Sequence, residues 1–410
     1  MNKGRAQDLL AEARLDALVV GSPVNVRYLT GYHWWLDGLF REYMMRPGGS
    51  DELLSNTFAA LPRGGEPILV APAFLAGNAL DDADVCVEDV RLFGDVPLEV
   101  EPTSVGSHGP QLVPDHSAPG LPEVIATLVR DLELPLGRIG IEASALGSQA
   151  RAALAAAVGK SRLFDSTNLV RVLRAVKSQE EIERLRLAGS IAEAGAAAMF
   201  ENATSETPMA DATTVFRRKV TELGANFDHV VYSLHGCSIG ANPTVTLGHT
   251  SCVSVDYGCI YGGYFSDGGT TFAANNVSDF VHRRWEAVSA CVERAAAEMR
   301  PGNQSSSIQR VMAESLWEDG VRQALLPHGH GLGLEVRDYP ILVPPNDLRI
   351  EDEAMNFSSD MPLEEGMVVN LEASVMIPDV GSTHYEKTYL VGKFNAEPLM
   401  PQPRKLRSAS

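Results

Sequence analysis

The sequence predicts two domains, an α/β domain over residues 1–172 and an α+β domain over residues 173–410. Hydrophobic strands alternate with amphipathic helices through the first part of the chain. A capping box formed by Ser178 and Glu181 then begins a long helix close to the boundary. The chain has 410 residues, of which 45% are hydrophobic, so it is long enough to bury two cores.

The elements of the first domain are predicted from short apolar runs and from helical spacing. Strands are expected at residues 15–20, 58–61, 68–71 and 139–141, and helices near residues 6–14, 121–132 and 148–157. The stretch 97–120 is rich in proline, serine, glycine and histidine, which predicts a surface loop.

The second domain is expected to begin with a helix from Ser178 to about residue 202. A helix pair follows at residues 279–299 and 305–320, interrupted by Arg300-Pro301-Gly302. Four further segments of this domain each carry acidic or imidazole side chains, either at a predicted strand or among glycines.

The first of these segments, residues 252–273, is a predicted hairpin. Runs of β-branched and aromatic residues flank Tyr261-Gly262-Gly263, which is a turn signal. Asp256 and Asp267 are expected near the open end of the hairpin, opposite each other and close enough to share an ion. The alternative is that both are strand-end or turn aspartates that face water.

The other three segments contribute imidazoles and glutamates. His328 and His330 lie among glycines, where the backbone can approach a site closely and a neutral imidazole can bind a metal. Glu372 closes an apolar strand, and Glu386 begins the next strand. Any one of them alone also fits a structural histidine or an exposed glutamate, but the four segments together indicate one shared pocket.

Four carboxylates and one imidazole are therefore expected in this pocket: Asp256, Asp267, His330, Glu372 and Glu386. Such a set is too anionic to be buried without a compensating cation. One or two divalent metals would supply that cation. Two metals bridged by carboxylates activate water and polarise a carbonyl group, which is hydrolase chemistry.

The order of these residues resembles the creatinase / aminopeptidase P / prolidase family of metallopeptidase-like proteins. A second aspartate follows eleven residues after the first, and the histidine stands in Gly329-His330-Gly331-Leu332-Gly333. Glutamates then close Gly366-Met-Val-Val-Asn-Leu-Glu372 and open Glu386-Lys-Thr. The resemblance covers about the last 240 residues closely, and residues 173–182 resemble the entry into the family's catalytic domain. Residues 23–32 match the family only in general style.

The resemblance implies a fold, a cofactor and an assembly. The second domain is expected to have the pita-bread fold, with the five residues as ligands of a dinuclear site and Asp267 and Glu386 as bridges. Manganese is the expected metal, with cobalt, zinc and iron as alternatives. A homodimer is expected, because in this family the N-terminal domain helps to close the active site, often that of the partner subunit.

Several positions depart from the peptidase pattern. Peptidases of the family carry a histidine seven residues after the ligand histidine, where this chain has Arg337. They carry another a little under twenty residues before the first aspartate, where residues 238–244 contain none. Ala373 follows the fourth ligand in place of proline, and His384 stands where an arginine is expected. This pattern resembles non-peptidase members such as creatinase, ectoine hydrolases and dimethylsulfoniopropionate lyases.

These departures change the expected roles in the site. The missing histidines would handle protons and bind a carbonyl oxygen. Arg337 stays protonated, so it is expected to bind an anionic group, with His328 as a second substrate-binding residue. Glu372 is the candidate to take or relay a proton. Trp34 and Trp35 are expected either to pack on the core of the first domain or to contact the substrate.

Composition narrows the partners and the compartment. The formal net charge of -19 disfavours nucleic acid and anionic membranes as partners. Five scattered cysteines without paired spacing indicate reduced thiols, which favours a cytoplasmic protein. Residues 1–15 have the pattern of a polar amphipathic helix and do not resemble a secretory leader, and no uncharged run reaches transmembrane length.

The expected function is hydrolysis of a C–N bond, amide or peptide-like, in a small substrate derived from an amino acid. Xaa-Pro peptides are expected to be poor substrates, because two accessory histidines are absent. A metal-dependent lyase, resembling dimethylsulfoniopropionate lyase, and a genuine Xaa-Pro dipeptidase or aminopeptidase are the alternatives. A binding protein without activity on the same scaffold is disfavoured, because it would not need to keep four buried acids.

Overall fold

The computed structural model describes residues 1–33, 56–75, 77, 79, 83–94, 117–134, 136–273 and 276–408. Contacts divide the chain into two compact units. The first comprises Met1–Leu173 with Ile350–Asn356, and the second comprises Arg174–Arg349 with Phe357–Ser410. Trp34, Trp35 and most of the predicted loop at 97–120 lie outside the described residues.

The first unit contains a six-stranded mixed sheet with the order β4-β3-β2-β1-β5-β6. Its strands are β1 (Ala17–Val20), β2 (Phe58–Pro62), β3 (Ile68–Pro72), β4 (Asp89–Phe93), β5 (Ile139–Ile141) and β6 (Leu163–Asp165). β2 runs antiparallel to both of its neighbours, and the other adjacent pairs are parallel. The helices are α1 (Lys3–Glu12), α2 (Pro23–Thr30), α3 (Leu121–Asp131), α4 (Ser148–Val158) and α5 (Thr167–Arg174).

Helix α3 shows why the amphipathic pattern predicted this unit well. Leu121, Val124, Ile125 and Leu128 follow helical spacing, and all four are buried in one cluster with residues of the sheet. The predicted strands and helices of this domain are confirmed to within a few residues. Helix α2 was not predicted, although Ser22 caps the amide of Asn25 at its start.

The second unit contains four long helices and a large sheet among its described residues. The helices are α6 (Gln179–Glu201), α7 (Met209–Glu222), α8 (Asp279–Ala297) and α9 (Ser305–Glu318). The main path of the sheet has the order β13-β12-β16-β17-β11-β9-β7-β8. These strands are β7 (Asn226–Leu234), β8 (Ser238–Ala241), β9 (Cys252–Tyr261), β11 (Gly268–Ala273), β12 (Leu325–Gly331), β13 (Asp338–Leu342), β16 (Val368–Ile377) and β17 (Gly381–Val391).

Short strands complete the second unit. β10 (Tyr264–Phe265) pairs with β9, β18 (Ala396–Pro398) with β17, and β19 (Arg407–Ser408) with β11. β14 (Arg349–Glu351) and β15 (Asn356–Ser358) lie at the two ends of the segment 350–356, which belongs to the first unit, and among the described strands they pair only with each other.

One face of the large sheet is apolar and is covered by helices. Phe216 of α7 packs in a buried cluster with Tyr232 of β7 and with Val253, Val255 and Tyr257 of β9. Helix α6 begins with the predicted capping box, because Ser178 accepts from the Glu181 amide and Glu181 accepts from the Ser178 amide. The opposite face of the sheet is therefore left for polar side chains, since side chains alternate along a strand.

The predicted hairpin is confirmed, but its register corrects one expectation. Tyr261 pairs with Tyr264 across Gly262 and Gly263, both of which have positive φ angles, as this tight turn requires. The turn fixes the register, so Asp256 lies opposite Gly269 and not opposite Asp267. The prediction that the two aspartates lie opposite each other was wrong: they are diagonal neighbours on one face, still within reach of a shared ion.

No helix in the described part of the chain combines the length and the apolar character needed to span a membrane.

Candidate metal centre

A row of polar residues crosses five adjacent strands of the second unit. The register pairs His328 with Glu372, Glu372 with Glu386, Glu386 with Gly269, and Gly269 with Asp256. Residues directly opposite each other in a sheet share a face, so these side chains all point to the same side. The sheet thus lines up three carboxylates that are far apart in the sequence.

A second row, one step along the same face, holds the other expected ligands. His330 lies opposite Asn370, and Asn370 lies opposite Thr388. Thr388 Oγ1 donates to the Asp267 carbonyl at 3.3 Å and to the Asn370 side chain at 3.2 Å. His229 ends this row, because it pairs with Gly258 two residues from Asp256. The two rows bring all five predicted ligands onto one patch.

The acids and imidazoles form three overlapping groups in which one ligand atom from each residue lies within 4.8 Å of the others. The first contains His229, Asp256 and Asp267, and the second contains Asp267, His330 and Glu386. The third contains Glu372, His384 and Glu386. Asp267 belongs to the first and second groups and Glu386 to the second and third, so these two carboxylates connect the three groups.

Burial and mutual repulsion disfavour the charged forms of the central acids. The pKa of Asp267 is raised well above its ordinary value by desolvation, and then by the charges of Glu386 and Asp256. The pKa of Glu386 is raised in the same way by desolvation and by Asp256 and Glu372. An isolated carboxylate cluster of this kind binds protons unless a cation replaces them.

His330 is prepared to bind such a cation. Its ring is fully buried, and Nδ1 donates to the Gly331 carbonyl at 3.0 Å. Among the described residues Nε2 has no hydrogen-bond partner, and it lies 3.4 Å from Oδ2 of Asp267. Burial lowers the pKa of His330 to about 4, so the ring is neutral near pH 7 and its free lone pair faces the carboxylates. An orphaned buried acceptor of this kind fits a metal ligand.

The expected substrate-binding pair lies at the edge of the patch. Nε2 of His328 is 2.8 Å from Oε1 of Glu372, and the Arg337 guanidinium is 3.5 Å from that same oxygen. Desolvation raises the pKa of Glu372, but His328 and the other nearby imidazoles outweigh it and lower the value to about 2. Arg337 is 56% exposed, so its guanidinium is accessible to a ligand.

Sequence reasoning missed His229, which lies between Asp228 and the expected ligand Asp256. Nδ1 of His229 lies 2.7 Å from Oδ2 of Asp228, and Nε2 lies 2.9 Å from Oδ1 of Asp256. Burial lowers the pKa of His229, but the bonds to Asp228 and Asp256 and the charge of Asp267 raise it to about 11 overall. No local signal indicated this residue, because its position depends on the pairing of β7 with β9.

His384 was noted only as a departure, and the structure places it inside the site. Its Nε2 lies 3.2 Å from Oε2 of Glu386, and its Nδ1 lies 2.5 Å from Oγ of Ser374. The ring occupies space above Gly269, where a Cβ atom would collide with Nε2 of His384 and lie 2.7 Å from Oε2 of Glu386. Glycine at position 269 therefore makes room for the centre.

The donor set fits divalent metal ions, since it combines four carboxylates, a neutral buried imidazole and a backbone cleared of side chain at Gly269. A family model described as metallopeptidase family M24 matches residues 183–393, which is just over half of the chain. The chain belongs to metallopeptidase family M24. A second model, described as the creatinase/prolidase N-terminal domain, matches residues 4–176.

Relatives with similar sequences support this family assignment. The Xaa-Pro dipeptidase of Pyrococcus furiosus is 26% identical over 247 residues, covering 58% of this chain and 67% of the relative. The Xaa-Pro dipeptidase of Lactobacillus delbrueckii subsp. lactis is 22% identical over 415 residues, covering 99% and 98%. The resemblance predicted from the sequence is therefore confirmed, and the protein is a metal-dependent hydrolase of the M24 type.

Solved structures confirm the fold. The X-Pro aminopeptidase from Thermotoga maritima MSB8 has a TM-score of 0.70 at 17% identity, with 99% of each chain covered. The prolidase from Pyrococcus horikoshii OT3 has a TM-score of 0.69 at 19% identity, covering 98% of this chain and 99% of its own. The M24 unit of this chain thus has the predicted pita-bread fold, preceded by an α/β unit.

Proposed function

We propose that this M24 protein hydrolyses the C–N bond of a small peptide or amino-acid amide at a centre of two divalent ions. The observation that carries the proposal is the row in which Glu372, Glu386 and Asp256 share one face of the sheet. Asp267 and His330 complete the set from the next row. Two bound ions would neutralise the acids, activate water and polarise the scissile carbonyl.

The ligand assignment follows the overlap of the groups. Asp267 and Glu386 would bridge the ions, as the family resemblance implies, and their position between the groups supports this role. His330 would bind through its unpartnered Nε2. The mostly oxygen donor set favours manganese, while cobalt, zinc and iron remain compatible with the mixed ligands.

Three residues at the edge of the patch would act on the substrate. Glu372 is the proposed proton acceptor, because it combines contact with the centre and contact with His328. Arg337 would bind an anionic group of the substrate through its exposed guanidinium. His328 would be the second substrate-binding residue, because its Nε2 lies 3.3 Å from the Arg337 guanidinium.

The substrate would differ from that of the Xaa-Pro dipeptidases named above. Arginine at position 337 cannot shuttle a proton near neutral pH, whereas histidine can. We therefore propose a small amide or peptide that carries an anionic group, and we expect Xaa-Pro dipeptides to be cleaved slowly. The relatives described above are named as dipeptidases and aminopeptidases, so the lyase alternative gains no support.

Metal analysis and product analysis test this function together. Protein purified without chelator should contain about two divalent ions per chain, and the His330→Ala variant should contain fewer. Small amides and peptides should then be screened in water enriched in ¹⁸O, because a hydrolase incorporates oxygen from water into the product acid and a lyase does not. An exposed histidine in α8, His282, offers a matched control through His282→Ala. A metal content near zero in both wild type and control after manganese loading would contradict the proposal.

We also propose that the protein is a homodimer, as the family resemblance implies, and that it is cytoplasmic, as its scattered cysteines indicate. Light scattering at micromolar concentration should give twice the mass of one chain. A mass equal to one chain would contradict the dimer without affecting the proposed chemistry.

A further inference from the structure

His229 lies beside two of the proposed ligands on the neighbouring strand. Its Nε2 atom is 2.9 Å from Oδ1 of Asp256 and 3.6 Å from Oδ1 of Asp267. Two atoms that each lie about 2.1 Å from one ion are about 3.0 Å apart at a right angle and about 3.6 Å apart at a wider angle. The observed separations also fit the hydrogen bond that joins His229 to Asp256, and they are compatible with three atoms bound to a common ion.

The second nitrogen of the ring is held by a carboxylate. Nδ1 of His229 donates to Oδ2 of Asp228 at 2.7 Å. Nε2 bonds to Asp256 in the metal-free ring. An ion that displaced the proton of this bond would meet the Nε2 lone pair, because Nδ1 remains the donor to Asp228. A carboxylate, a histidine and a metal in this order are a recurrent arrangement, in which the carboxylate fixes the ring and makes it more basic.

The strand opposite His229 leaves room for the ring. Gly258 pairs with His229, and a Cβ atom at Gly258 would lie 2.5 Å from Cε1 and 2.9 Å from Nδ1 of the imidazole. Any side chain at position 258 would displace the ring from Asp256. The position of His229 thus depends on its own strand, on Asp228 and on the absence of a side chain across the ladder.

We propose that His229 is a sixth protein ligand of the dinuclear centre and binds, through Nε2, the ion shared by Asp256 and Asp267. This inference rests on the proposed function, since it requires that the centre bind metal. Each of the two ions would then have an imidazole ligand, His229 on one side and His330 on the other.

An added nitrogen donor changes which metal the site prefers. Imidazole suits cobalt, zinc and iron, whereas sites built from oxygen alone suit manganese and magnesium. Loss of His229 should therefore weaken cobalt binding more than manganese binding. Asp228 would be a positioning residue, because its hydrogen bond holds the His229 ring and is not made to an ion.

X-ray absorption of the full-length protein loaded with cobalt tests the assignment directly. Multiple scattering from imidazole rings counts histidine ligands per ion without any measurement of activity. The count should fall by one imidazole per chain in His229→Asn and stay unchanged in the surface control His282→Asn. Calorimetric titration should also show a loss of cobalt affinity of about 10-fold or more in His229→Asn, with a smaller loss for manganese. Far-UV circular dichroism verifies that each variant folds, and His229→Phe repeats the test with a ring of similar size.

The possible results separate the two proposals. Wild-type protein that binds two cobalt ions, with an imidazole count unchanged in both His229 variants, would overturn the ligand role of His229 and leave the proposed function intact. Wild-type protein that binds no cobalt and no manganese would overturn both. A crystal structure of the loaded protein provides a second readout, since Nε2 of His229 should then lie about 2.0–2.2 Å from an ion.

Discussion

Glu372 and Glu386 lie directly opposite each other on adjacent antiparallel strands of the M24 sheet. Like charges in this position destabilise a sheet. The Asn370 side-chain amide donates to Glu386, but one amide does not neutralise several buried acids. The repulsion between these two glutamates thus destabilises the folded protein. A cation bound between them would replace the repulsion with attraction and stabilise the fold.

Substitution of Glu386 should separate these two effects. In metal-free protein at pH 7, Glu386→Gln should raise the melting temperature or leave it unchanged, because a buried acid whose ionisation is unfavourable is replaced by a neutral amide. Manganese should raise the melting temperature of the wild type, since a ligand that binds only the folded state stabilises it. The variant should lose most of that shift. Thermal unfolding of wild type and variant, with and without manganese, measures these melting temperatures. An equal increase on adding manganese in the two proteins would contradict the ligand role of Glu386.

Gly269 should tolerate no side chain. A Cβ atom there would collide with His384 and crowd Glu386, so Gly269→Ala should reduce metal content while the protein still folds. Metal analysis after dialysis, with circular dichroism, checks this expectation. Gly4→Ala is a matched control, because a Cβ atom at Gly4 meets only an ordinary contact with Asn2. Full metal content in Gly269→Ala would show that His384 can move aside without effect.

Metal uptake should release protons. The pKa values of Asp267 and Glu386 are raised by burial and by their neighbours, so the metal-free centre holds protons that an ion must displace. His330 is neutral down to a pKa of about 4, so it does not compete in this range. Affinity should therefore fall as the pH falls through the raised carboxyl pKa values. Calorimetry in buffers of different ionisation enthalpy counts the protons, and release of none would contradict the prediction.

The same raised pKa values determine whether the stability of the metal-free protein rises or falls with pH. A carboxyl group whose pKa is higher in the folded than in the unfolded state binds more protons when folded. Metal-free stability should thus decrease as the pH rises from the ordinary carboxyl pKa through the raised value. Urea unfolding of chelated protein at several pH values checks this, with Glu386→Gln expected to show a weaker dependence.

Arg337 should control the choice of substrate. Arg337→Lys should raise KM for the anionic substrate, because lysine lacks the planar fork of arginine. Arg337→His should increase the rate with Xaa-Pro dipeptides, since a general acid or base contributes about 10²–10⁴-fold. Steady-state kinetics on both substrate classes measures the changes. Efficient wild-type cleavage of Xaa-Pro dipeptides, unchanged in Arg337→His, would show that position 337 does not determine specificity.

A buried ion pair fixes the segment that carries Arg337. Arg174 donates to Asp338 at 2.8 Å and also contacts Glu335, and Asp338 is 3% exposed. Arg174→Ala would leave Lys177, at 3.9 Å, as the basic side chain beside Asp338 in the described part of the chain. Removing one partner of a buried pair costs about 3–5 kcal/mol, and Lys177 should keep the loss near the lower end. Urea unfolding measures it, and a loss below about 1 kcal/mol would show that the pair behaves like a surface pair.

Much of this site could be predicted from the sequence because its signals are local. The capping box at Ser178 and the glycine turn at 262–263 depend on neighbouring residues, and both are present as predicted. The five expected ligands could be proposed from the sequence because each stands in a short segment with its own pattern, and the structure brings them onto one patch. The hairpin register was also implied by the turn, since a turn at 262–263 places Asp256 opposite Gly269, but this step was not taken.

Only the tertiary structure decided which other residues join the centre. His229 reaches Asp256 because β7 pairs with β9 in one register, and a shift of one residue would turn its ring to the helix-covered face. His384 enters because Gly269 on the adjacent strand leaves space for it. Such pairings form between segments that are distant in sequence, and they are fixed by packing of the whole sheet. The sequence by itself therefore determined the family, the fold and the main acids, while the sheet register determined how many imidazoles surround them.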